Sequence, residues 1–111
     1  MLVRLAMLAA FVSTAACVGA SSTGLDPITC PPAGTTLTYT NFGDEMIANK
    51  CTNQGGCHSR ERPVMLSQTA IQQNASTIMD NAVYTDAMPK SGSMTLEERQ
   101  KLGEWLACGA P

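Results

Sequence analysis

The only histidine in the 111-residue chain, His58, directly follows Cys57 in the stretch Cys51-Thr52-Asn53-Gln54-Gly55-Gly56-Cys57-His58. Two thiols with an adjoining imidazole are the groups that hold a haem covalently. The sulfurs bond to the porphyrin edge, and the histidine beside the second cysteine becomes the proximal iron ligand. A group of that size would dominate the fold of so short a chain, because the other elements must enclose one rigid disc. The usual spacing leaves two residues between the cysteines, whereas five stand here. On a regular helix positions 51 and 57 would lie about 9 Å apart along the axis. Gly55-Gly56 is therefore expected to let the backbone bulge so that both sulfurs reach one porphyrin.

The N-terminus reads as an export signal. A single basic residue, Arg4, precedes the apolar run Leu5 to Val12, which is too short to span a membrane. Ser13-Thr14-Ala15-Ala16-Cys17 resembles a bacterial lipobox, in which the signal is cut before a cysteine that then carries lipid. Thr14 stands where such boxes usually have leucine. An ordinary signal peptide, cut near Ala16 or Ala20, is the alternative. The expected organisation is a signal peptide over 1–16, a tether and extended arm over 17–36, and a globular domain over 37–111. The arm is rich in Gly, Ser, Thr and Pro, including Pro27, Pro31 and Pro32.

Loss of the signal leaves six basic residues against nine carboxylates, so no basic patch remains to grip nucleic acid. A domain this small buries only a modest core and benefits from a cross-link or a bound cofactor. Aromatic residues are scarce, with Tyr39, Phe42, Tyr84 and Trp105 in the mature part, and a haem would fill volume that aromatics otherwise occupy. In an oxidising compartment the cysteines can be apportioned. With Cys17 lipid-modified and Cys51 and Cys57 on haem, Cys30 and Cys108 remain to form a disulfide joining the arm to the C-terminal helix. Two disulfides without a cofactor are the alternative.

The patterning is helical. A first helix is expected from about Phe42 to Lys50, capped by Asn41 or Thr40, with Asp44 and Glu45 in its first turn. Pro63 excludes a helix through the polar stretch after His58. Ser67 suits the N-cap of a short helix over Gln68 to Gln73, and another is expected from Asn74 or Ala75 to about Tyr84, burying Ile78, Met79, Ala82 and Val83. Thr95-Leu96-Glu97-Glu98 is a capping box for a last helix with Leu102, Trp105 and Leu106 on one face, stopped by Gly109 after Cys108.

These pieces come in a distinctive order: Cys57-His58, then Ala87-Met88-Pro89, then Leu96-Glu97-Glu98-Arg99, then Trp105-Leu106-Ala107-Cys108-Gly109-Ala110-Pro111. Over residues 30 to 111 this order resembles the small class-I-like cytochrome c domains of exported myxobacterial and planctomycete proteins. The resemblance implies an all-α, cytochrome c-like domain around one haem c. It implies His58 as proximal iron ligand and Met88, in a loop stiffened by Pro89, as the distal one. Residue chemistry agrees, since no second histidine exists and a thioether is a known partner of haem iron. Met65, Met79 and Met94 are rivals.

The expected activity is single-electron transfer to redox partner proteins, without catalysis, from a periplasmic or cell-surface position. The only membrane link would be a lipid anchor, with a preference for the outer membrane. The competing expectation is a haem-free, disulfide-held structural or interaction lipoprotein on the same scaffold. Zinc is a third reading, with Cys51, Cys57 and His58 as ligands short of the usual four.

Overall fold

The computed structural model describes residues 20–52, 67–89 and 94–111. The signal peptide over 1–16, Cys17, the polar loop around Pro63, Met65, Cys57 and His58 lie outside the described residues. Within them the chain is helical and contains no strand, only an isolated antiparallel bridge between Ser22 and Thr85.

The first helical run begins three residues earlier than expected. It passes from a π-helical segment, Tyr39–Gly43, through α1 (Asp44–Ile47) into a second π-helical segment, Ala48–Thr52. Its cap is Thr38, whose hydroxyl accepts from the Asn41 amide at 3.1 Å while the Asn41 side chain accepts from the Thr38 amide at 2.7 Å. That reciprocal pair satisfies two backbone donors together, which no cap at Thr40 or Asn41 would do.

Ser67 caps α2 (Gln68–Gln73) as expected, accepting from the Ala70 amide at 3.1 Å. After a break at Asn74, α3 (Ala75–Ile78) continues into a π-helical segment, Met79–Val83. Helix α4 (Leu96–Ala107) carries the expected capping box, with Thr95 and Glu98 each accepting the other's amide. The amide of Thr95 and the nearby Lys50 ammonium hold the Glu98 carboxyl below its ordinary range. At the other end Gly109, with φ +91°, reverses the chain. The amides of Gly109 and Ala110 then donate back to the carbonyls of Leu106 and Trp105, pairing carbonyls that the helix itself leaves free.

The core gathers on α4. Trp105 and Leu102 are fully buried, together with Ile71 and Val83. Phe42 meets the Trp105 ring edge to face, with centroids 5.9 Å apart. The first helical run comes so close at Gly43 that a Cβ there would stand 2.3 Å from Trp105 Cζ2. Two residues before Trp105, Gly103 leaves room for Ile28, whose Cδ1 would lie 2.4 Å from an added Cβ.

Ile28 belongs to the arm, and here the structure departs from a flexible tether. From Ser21 onward the arm is extended and docked. The Thr23 amide donates to the Tyr84 carbonyl at 2.9 Å, and the Asp86 amide donates to the Ser21 carbonyl at 3.0 Å. The Ile28 amide donates to the Tyr84 hydroxyl at 2.8 Å. The expected disulfide between Cys30 and Cys108 is present, with a sequence separation of 78.

Two measurements check this account. Closing so long a loop removes unfolded-state entropy, so reduction or Cys30→Ser should lower the unfolding free energy by up to about 4 kcal/mol in urea melts with and without reductant. Gly43→Ala forces its methyl into the Trp105 ring and should cost about 1 to 3 kcal/mol in the same assay.

Candidate functional site

Of the residues the sequence nominates for cofactor binding, Cys51 and Met88 fall in the described chain. Cys51 lies near the end of the first helical run, one turn after Ile47, which is buried in the core. Its side chain packs partly buried against that core and forms no disulfide with another described residue. Burial pushes the thiol up to about 11, because the apolar surroundings disfavour a thiolate. The residue before it, Lys50, pairs with Glu98 at 3.3 Å, tying the end of the helical run to the first turn of α4.

Met88 lies in the turn that follows the Met79–Val83 segment, joined to Pro89 by a cis peptide bond. Its side chain also packs partly buried against the core. Both of its backbone polar groups are engaged. The amide donates to the Asn81 carbonyl at 2.8 Å, and the carbonyl accepts from Arg99 Nη1 at 2.9 Å.

Arg99 is the residue that sequence reasoning missed. It is only 6% exposed, and the same nitrogen also donates to the carbonyls of Ala82 at 2.6 Å and Thr85 at 3.3 Å. A buried guanidinium needs partners that offset its lost hydration. Here carbonyl oxygens at the C-terminal end of a helical segment provide them, where the backbone dipole favours a cation. The signal was available, since Arg99 precedes Leu102 by three residues and Leu106 by seven, on their face of α4.

The adjacent residues Glu98 and Arg99 thus anchor the two segments of interest, one through Lys50 beside Cys51 and the other through Met88 itself. Of the rival methionines, Met94 is buried in the core and Met79 is packed partly buried against it. Among the described residues no three His, Cys, Asp or Glu side chains gather so as to hold a metal ion. None of the described helices is long and apolar enough to cross a membrane.

No protein-family model, curated protein or solved structure matches the chain. The site therefore rests on its own chemistry.

The raised Cys51 pKa gives a direct check on the haem-free chain. At pH 8 its alkylation, followed by peptide mapping, should run about a hundredfold slower than that of an exposed thiol. The linked stability is fully present below the ordinary value of 9.0 and is lost as pH rises toward about 11.

Proposed function

We propose that the chain is an exported electron-transfer protein carrying one haem c, held through Cys51 and Cys57, with His58 and Met88 on the iron. The observation that carries this reading is the pair of ties on α4. Glu98 holds the segment of Cys51 and Arg99 holds Met88, so a candidate attachment residue and a candidate iron ligand are anchored to one helical turn. The described donors fit the group. Cys51 has a thiol unpaired with any other described cysteine, and Met88 offers a soft thioether on a backbone fixed at both its amide and its carbonyl.

When bound, the haem supplies one-electron redox chemistry. The chain's own residues do the remaining work. His58 and Met88 would both hold the iron, which would leave no open site for a substrate and make the protein a carrier and not an enzyme. The core against which Cys51 and Met88 pack, each partly buried, lowers the local dielectric, which favours a comparatively high reduction potential. Redox partner proteins would dock transiently. Lipid on Cys17 would hold the domain at the periplasmic or outer surface of the cell, with the outer membrane preferred.

The test is the full chain produced with haem-maturation machinery. An intact mass raised by one haem after denaturation, with a Soret band, is the expected result. Met88→Ala should then abolish the methionine-to-iron charge-transfer band while the covalent haem remains. An apo-protein mass with a second disulfide, Cys51 to Cys57, would instead favour a haem-free structural or interaction lipoprotein.

A further inference from the structure

Arg99 stands apart from the other charged residues of α4. Glu97 and Lys101 form an exposed pair along one face, with their charged groups 3.0 Å apart, whereas Arg99 is turned inward among Leu102, Trp105 and Leu106. Among the described residues no acidic side chain is within ion-pair distance of it, and its three hydrogen bonds all go from Nη1 to main-chain carbonyls. Those carbonyls belong to Ala82, Thr85 and Met88, so one nitrogen spans the whole turn from the end of a helical segment to the methionine. A side chain that only filled core volume would need no such fan of acceptors. An apolar residue there would cost less desolvation.

We propose that Arg99 is a positioning residue for Met88. Its guanidinium fixes the Met88 carbonyl, and the Asn81 carbonyl fixes the Met88 amide at 2.8 Å, so the peptide units on both sides of the Met88 Cα are held. The thioether then projects from a backbone that cannot swing, and thermal motion of the sulfur is confined to side-chain torsions. The strength of a neutral sulfur ligand depends on such preorganisation, because a thioether brings no charge to hold it on iron. The arm reinforces the same turn from outside. Ser21 pairs with Asp86 through the Asp86 amide at 3.0 Å and through its own amide to Asp86 Oδ1 at 2.6 Å, but these contacts stop short of Met88. Met88, the residue before Pro89, is steadied by Arg99.

This inference rests on the haem reading, and its test separates the two. Arg99→Met keeps the length and apolar stem while removing the donors. Arg99→Lys keeps the charge, but its shorter stem leaves the ammonium short of the point from which Nη1 reaches all three carbonyls. In the haem-free full chain, hydrogen exchange at the Met88 amide should rise about tenfold or more in Arg99→Met, while amides within α4 remain protected. In the haem-loaded chain, Arg99→Met should keep covalent haem but lose most of the methionine-to-iron band and shift to a lower potential. Arg99→Lys should fall between it and the parent. If Arg99→Met does not fold, Arg99→Lys carries the test, and an unchanged band and potential in folded Arg99→Lys would overturn the assignment. Haem retained with an unchanged band in Arg99→Met would overturn the positioning role alone. A parent chain that takes up no haem would overturn the electron-transfer reading and the ligand role of Met88 with it. A structural role without positioning would lower the melting temperature and leave band and potential where they were.

Discussion

Burial of Trp105 is the constraint on which the other elements depend. Its ring is inaccessible to solvent, and that is possible only because the first helical run presents Gly43, with no side chain, at the point of contact. Phe42 then reaches the ring edge, and the indole Nε1 donates to the Pro111 carbonyl at 3.2 Å. An aromatic of this size supplies a large share of the apolar area in so small a core. It also fixes the angle at which the first run crosses α4. Once that angle is set, Lys50 comes within reach of Glu98. As a solvent-accessible ion pair it adds little stability, yet it marks where the end of the run must lie.

Helix α4 therefore acts as the spine of the molecule. Each neighbour meets it through a different physical device: ring packing for the first run, a glycine notch for Ile28, a buried guanidinium for the turn that carries Met88, and a disulfide for the arm. Helix α2 meets the chain just beyond α4. The side-chain amides of Gln68 and Gln72 both donate to the Ala110 carbonyl, at 2.9 and 3.1 Å. These two contacts share one main-chain acceptor, so they specify position with neutral groups.

What could be read in the sequence follows from the range of each interaction. Thr95 with Glu98, Ser67, and Gly109 act within four residues, and their roles in α4 and α2 were legible because caps and stops are local rules. Thr38 with Asn41 was equally local, but the acidic pair Asp44 and Glu45 drew the expected start forward. The Cys30 to Cys108 bridge was legible by counting, since few cysteines remained to pair. The docked arm was not. Its composition suits a linker, and its order comes from pairing with residues 84–86 and from the space at Gly103, which are set by tertiary structure alone. Arg99 was legible only in part: its spacing from Leu102 and Leu106 puts it on the buried face, but the carbonyls that accept from it belong to a turn that tertiary structure alone brings there. Of the candidate cofactor residues, Cys57 and His58 lie outside the described chain, while Cys51 and Met88 each pack partly buried against the core.

The disulfide has a consequence separate from its effect on the unfolding equilibrium. It joins residues 30 and 108, so most of the chain lies inside one covalent ring. A single peptide-bond cleavage anywhere in that ring opens it without dividing the molecule. Such a nicked chain keeps α4 tethered to the arm, and the two fragments remain at the high local concentration that lets them stay associated. Wherever a protease reaches the chain, the bridge converts one cut from a loss of half the fold into a change of connectivity.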